Sequence, residues 1–220
     1  MNKAKIGQTA PSLILSEWVQ GKPVHFGQLT GKVVLVEVFQ VNCPGCFLYG
    51  LPQAIDLHHR YADNGLAILG IATAFEDFDL NTLENLRKLI NQGEVIGETF
   101  RMLSQHGVLK AGCLPYRIPF PVAMDKLVQR EAEISHDDVI AFINEQLPTF
   151  DQQPEAYHQQ IINQARAYLE KLLYHPQTFE LFNLIGTPSY LLLNKQGILR
   201  DCGFGTQDDL ELRVQKLLAE

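Results

Sequence analysis

The run Val33-Val34-Leu35-Val36-Glu37-Val38-Phe39, continuing through Gln40-Val41-Asn42 into Cys43-Pro44-Gly45-Cys46, constrains the fold more than any other stretch of this chain. Its first half is apolar and β-branched, which suits a strand buried on both faces of a sheet. It breaks at a Pro-Gly pair held between two cysteines. Beyond the break Phe47, Leu48, Leu51, Ala54, Ile55, His58, Tyr61 and Ala62 recur at three- and four-residue spacing, so the second cysteine opens a helix. A thiol at such a strand-to-helix corner faces unpaired backbone N–H groups and the positive end of the helix dipole, and both favour thiolate. In Cys-x-x-Cys motifs the thiol pKa falls from about 8.5 to roughly 3.5–7.5. Cys43, nearer the loop, is then the exposed nucleophile, and Cys46, one turn inside, resolves the mixed disulfide. A zinc site normally needs a second close Cys or His pair, which lone Cys113, lone Cys202 and the scattered histidines do not supply. No metal and no cofactor is expected.

The rest of the chain alternates strands and helices. Residues 6–32, punctuated by Pro11, Gly21, Pro23, Gly27 and Gly31, predict a β-hairpin ahead of the main sheet, with Trp18 a packing residue. Leu66–Thr73 is a second buried strand after an Asn64-Gly65 turn. A helix starts near Asn81, with Glu84 placed for a capping box, and stops at Gly93; another spans Glu98 to His106. Gly50 and Pro52 predict a kink after the first turn of the cysteine helix. Pro121–Asp125 is a third strand. Residues 126–182 read as a helical insertion, with one helix capped at Ser135 and another from Pro154 to Tyr174 carrying Tyr157, Ile161, Ala165, Tyr168 and Leu172 as an apolar stripe. Tyr190–Asn194 and Gly197–Phe204 form a closing hairpin, and Thr206 caps a last helix. The whole is expected to be one domain, 1–220.

The strand, the Cys43-Pro44-Gly45-Cys46 corner and Ile185-Gly186-Thr187-Pro188-Ser189-Tyr190-Leu191-Leu192-Leu193-Asn194 together resemble the thioredoxin superfamily. The opening Ile6-Gly7-Gln8-Thr9-Ala10-Pro11-Ser12-Leu13 is similar to its TlpA-like and peroxiredoxin (alkyl hydroperoxide reductase/thiol-specific antioxidant) branch. This resemblance implies an α/β, thioredoxin-like fold: a central mixed β-sheet flanked by helices, with the N-terminal hairpin and the helical insertion before a cis-proline strand. It implies that Pro188 is cis and that Thr187 offers backbone hydrogen bonds to an extended substrate segment. Pro44 and Gly45 join these as substrate-facing residues. A carboxylate in a buried strand is costly, and Glu37 matches the buried acid of thioredoxins, which implies a proton acceptor for Cys46. Asn42 stands where thioredoxins have tryptophan, which implies a different substrate surface, and the insertion would help shape substrate choice.

The activity implied is thiol-disulfide exchange with protein thiols and disulfides, supported by an upstream redox partner. A peroxiredoxin is the alternative. Its Pro-x-x-x-Thr/Ser-x-x-Cys pattern puts Val36 and Gln40, or Phe39 and Cys43, at the Pro and Thr positions, and neither register fits. A redox-inactive binding module is a third reading, opposed by the intact cysteine pair with Thr187-Pro188. The formal net charge of −7 argues against nucleic acid and anionic membranes as partners. No signal peptide or transmembrane segment is expected, so the location expected is the cytoplasm, or the periplasm if the chain has been trimmed. Oligomeric state is left open.

Overall fold

The computed structural model describes residues 3–130 and 134–220, Glu145 by its backbone alone. Its central strand β2 is Val33–Phe39, buried along its whole length. Chain neighbours alternate across the sheet. Val33, Leu35 and Phe39 face one core, shared with Cys46, Phe47, Leu51, Ala54 and Leu57, while Val34, Val36 and Val38 face another, shared with Phe179, Leu181 and Phe182. Glu37, by the period of two, belongs to the first face. That parity sets the acid on the side of the cysteine helix.

Around β2 the sheet is mixed. With β1 (Leu15–Gln20), β3 (Leu66–Ala72), β4 (Val122–Asp125), β7 (Ser189–Leu193) and β8 (Leu199–Phe204), the described residues form a six-stranded sheet of order β1-β4-β3-β2-β7-β8. β2, β3 and β4 are parallel, and β1, β7 and β8 run antiparallel to their neighbours. Helices α1 (Leu51–Tyr61), α2 (Leu83–Gln92), α3 (Gly97–Gln105) and α7 (Leu210–Ala219) supply Leu51, Leu86, Leu103 and Val214 to the first core, and the short α6 (Gln177–Leu181) serves the second.

The expected hairpin over residues 6–32 does not form. Its single strand, β1, pairs instead with β4, Trp18 opposite Ala123, and the chain then enters a 3-10 turn at Phe26–Leu29. Gly21, at φ +77°, turns the backbone against Pro121, and Pro23 has no N–H with which to continue a ladder. The Gln20 side chain closes this arrangement by donating to the Ile118 and Phe120 carbonyls at 2.8 and 2.6 Å. Two caps also differ from expectation. Thr82, not Asn81, caps α2, accepting from Asn85 N with no box to Glu84, because Asn81 is buried and used elsewhere. Asp209, not Thr206, is the residue before α7.

The chain divides into a larger unit, residues 1–127 and 176–220, and a smaller one, residues 128–175. The latter is narrower than 126–182. Residues 176–182 pack with the larger unit because Asp125 holds them: this fully buried carboxylate accepts from Thr178 N at 2.8 Å, Phe179 N at 3.1 Å and Thr73 Oγ1 at 2.8 Å. Burial pushes its pKa up while these donors pull it down. Replacing Asp125 by Ala orphans three donors, and chemical denaturation should show a loss of roughly 3 kcal/mol or more. A midpoint unchanged from wild type would show that water replaces them.

In the smaller unit α4 (His136–Gln146) begins at Ser135, which closes a capping box with Asp138. α5 (Glu155–Lys171) packs Ala165 and Leu169 with Val139, Ile143 and Phe150. The expected stripe is only partly inside: Tyr157 and Tyr168 are exposed. Where the chain leaves and re-enters the larger unit, β5 (Leu127–Gln129) and β6 (Tyr174–Pro176) pair as a two-stranded ribbon.

Candidate active site

β2 delivers the chain to the cysteines, and a helix start holds them. Cys43 and Cys46 form a disulfide with Cα atoms 5.4 Å apart. Cys46 is fully buried and Cys43 half-buried. The three-residue spacing turns Cys46 N–H back on the first cysteine, donating to Cys43 O at 3.0 Å and lying 3.2 Å from Cys43 Sγ. A thiolate at Cys43 in the reduced pair would therefore be met by a backbone donor at a helix N-terminus.

The kink expected at Pro52 takes the form of a π turn over Cys46–Gly50, ahead of α1. Leu51 N reaches back to Cys46 O across this widened turn. The next donor in the same series would be the nitrogen of Pro52, which has no hydrogen. The Phe47 carbonyl is served instead by Tyr116 Oη at 3.2 Å. Burial pushes the Tyr116 phenol up to about 12, so it stays protonated and donates. Sequence reading passed over Tyr116, because only the folded chain shows which carbonyl the proline leaves open.

Opposite the cysteines stands the start of β7. The Thr187–Pro188 peptide bond is cis. The Thr187 carbonyl oxygen lies 3.5 Å from Cys43 Sγ. Ser189 Oγ donates to Gly186 O at 2.7 Å and Gly205 N to Pro188 O at 2.8 Å, which fixes the loop from both ends. Gly45 lies against Pro188, a methyl group there standing 3.6 Å from Pro188 Cδ. Pro44 and Gly45 are half-buried beside the disulfide. At Gly50 a methyl group would come within 2.7 Å of Pro188 Cβ and would collide with Glu37 Oε1. Gly50, read from sequence only as a helix interruption, is what lets the helix lie on both.

Glu37 is 4% exposed, and its Oε1 has no hydrogen-bond partner. Burial holds its carboxyl well above the usual range. The structure thus brings Glu37, Pro188 and the turn that follows Cys46 together through Gly50.

Asn42 is committed to the framework. Its Oδ1 accepts from Glu98 N and its Nδ2 donates to Asp77 Oδ2, both at 2.8 Å, while its backbone N donates to Asn81 Oδ1 at 2.8 Å. Thr99 Oγ1 adds a bond to Val41 O at 3.0 Å. The Asn42 side chain therefore pins α3 to the corner where an indole would offer surface. Cys113 and Cys202 are half-buried free thiols; burial and neighbouring Asp201 push the Cys202 thiol up. Among the described residues no three His, Cys, Asp or Glu side chains gather as a metal site, and no helix is long and apolar enough to cross a membrane.

No protein-family model matches the chain. Among curated proteins it is similar to Protein DipZ of Mycobacterium bovis and of Mycobacterium tuberculosis, each 32% identical over 88 residues. That match takes in 37% of this chain, which spans 12% of the length of those relatives. Among solved structures it is similar to a thiol-disulfide isomerase from Corynebacterium glutamicum, at TM-score 0.58 and 26% identity over 99% of this chain and 97% of that one. A thioredoxin-like superfamily protein gives TM-score 0.58 and 24% identity over 97% and 98%. Fold and site therefore define a thioredoxin-like chain. Its Cys-x-x-Cys pair is closed as a disulfide at the start of a helix, and one solved structure that shares the fold is a thiol-disulfide isomerase.

Proposed function

We propose that this chain is a thiol-disulfide oxidoreductase acting on protein substrates through Cys43 and Cys46. The observation that carries this reading is the closed Cys43–Cys46 disulfide, with its more exposed sulfur against the Thr187 carbonyl and its buried one inside the helix. In the reducing direction the Cys43 thiolate attacks one sulfur of a substrate disulfide, and the other sulfur leaves as a thiolate. Cys46 loses its proton to Glu37 and attacks Cys43 Sγ. The second substrate sulfur departs, and the Cys43–Cys46 disulfide remains. Two electrons have passed to the substrate, and a dithiol partner upstream restores the pair. The oxidising direction is the same sequence reversed. Pro44, Gly45, Thr187 and Pro188 form the surface along which the substrate segment lies, with Thr187 supplying backbone contacts.

The test is a redox titration of the pair against glutathione buffers, with Cys43→Ser as control and insulin reduction as the activity readout. A reversible two-electron couple near −270 mV would mark a reductant, and one near about −120 mV an oxidant. Absence of any reversible couple would overturn the assignment.

Glu37 gives a separate expectation. A carboxyl whose folded pKa lies above its unfolded value, about 4.3, keeps its proton in the folded chain alone between those two values. The stability it contributes is complete at low pH and is lost as pH rises through the folded pKa. Denaturation midpoints of wild type should therefore fall across this window more steeply than those of Glu37→Gln. The same variant should slow release of the mixed disulfide by roughly 10²-fold, the usual worth of a positioned base. Parallel pH profiles and unchanged release would remove Glu37 from the mechanism.

A further inference from the structure

Gln40 stands just beyond β2 and is 1% exposed. β2 and β7 pair antiparallel with Val38 opposite Ser189, so continuing the register sets Phe39 opposite Pro188 and Gln40 opposite Thr187. The backbone ladder cannot continue there, because Pro188 has no N–H to give. A side-chain pair takes its place: Thr187 Oγ1 donates to Gln40 Oε1 at 3.1 Å. Gln40 Nε2 in turn donates to the Glu76 carbonyl at 3.3 Å, so both ends of the amide are used and its orientation is fixed. A buried amide bonded at both ends resists displacement, since moving it would leave polar groups unpaired.

We propose that Gln40 is a positioning residue for disulfide exchange, holding the Thr187 backbone against Cys43 through the Thr187 hydroxyl. The inference rests on the exchange reading given above. The Thr187 carbonyl lies 3.5 Å from Cys43 Sγ and the Cys46 N–H 3.2 Å from it. On reduction a carbonyl held at that distance would accept from the Cys43 S–H and favour the thiol, while the Cys46 N–H would favour the thiolate. The same backbone is the edge on which a substrate segment is held. Releasing it should lower the Cys43 pKa and weaken protein substrates, with little effect on a small disulfide that needs no such edge.

The test compares full-length wild type with Gln40→Met, Thr187→Val, the double variant and Thr187→Ser. Two quantities are read: the pH midpoint of iodoacetamide alkylation at Cys43, followed by mass spectrometry, and KM and kcat for insulin and for the aromatic disulfide DTNB. Gln40→Met and Thr187→Val should move the alkylation midpoint to lower pH by equal amounts, the double variant no further, and Thr187→Ser should restore it. KM for insulin should rise about five-fold in each single variant, the worth of one hydrogen bond, and by more than KM for DTNB, which needs no backbone edge. If Gln40→Met does not fold, Thr187→Val against Thr187→Ser carries the same comparison at a half-buried position. An unmoved midpoint in folded variants, or shifts that add in the double variant, would overturn the proposal. Wild type that reduces neither substrate would overturn the exchange reading instead, and the alkylation midpoints would still report whether Gln40 sets the Cys43 thiol.

Discussion

A Cys46→Ser chain mixed with a disulfide-bonded protein should accumulate a covalent mixed disulfide through Cys43, and a Cys43→Ser chain should form none. The asymmetry follows from burial and from the helix start. Cys46 is fully enclosed and cannot meet a folded protein's disulfide, while Cys43 is half-buried and faces both a backbone donor and the Thr187 loop. Loss of Cys43 removes the thiolate that attacks, so turnover should drop on the order of 10³-fold or more, to the solution background. Loss of Cys46 leaves the attack intact and removes only the resolving step, so the intermediate persists and is visible as a band that dithiothreitol dissolves. Trapping on Cys46 of the Cys43→Ser chain, or no adduct with either variant, would reverse the assignment.

The second large effect should come from a single methyl group. Gly50 has helical backbone angles, φ −59° and ψ −58°, so a helix-propensity argument alone makes Gly50→Ala stabilising by about 1 kcal/mol. The packing argument has the opposite sign and is larger. The added carbon would collide with Glu37 Oε1 and press on Pro188 Cβ, both parts of the rigid core, and overpacking of this kind costs about 1–3 kcal/mol. Thermal unfolding should fall by several degrees, since each kcal/mol moves Tm by roughly 2–4 °C in a chain of this size. Gly27→Ala is the control, because a methyl group there meets nothing within 4 Å and the residue lies outside the positive-φ region. A Gly50→Ala chain as stable as wild type would mean that the turn can move away from Pro188 at little cost.

Features that depend on neighbours in sequence were legible; those that depend on distant chain were not. β2 spans the residues its apolar run predicts, β3 ends one residue short of Thr73, and the Ser135 cap reads directly from Ser135 and Asp138. The cysteine corner and Thr187-Pro188 are likewise marked by local chemistry. The pairing of β1 with β4 joins segments about a hundred residues apart, and nothing in residues 15–20 distinguishes it from a hairpin strand. Asp125 gave no sign of its three donors because two lie in α6, far along the chain. Gln40 was noticed only for failing a peroxiredoxin pattern. Counting the β2 alternation one step beyond Phe39 would have flagged it as an amide continuing an apolar strand, though not that Thr187 was its partner.

The β5–β6 ribbon changes what the chain's length means for folding. Its paired strands bring residues 127–129 and 174–176 side by side, which takes the span between them out of the route from β4 to β7 and leaves the ribbon, α6 and the loop up to Ser189. The entropy of closing a loop grows with the logarithm of its length, and once the ribbon has formed the span between its strands no longer enters that cost. The sheet can therefore assemble with a β4-to-β7 connection shorter than the sequence separation of those two strands implies.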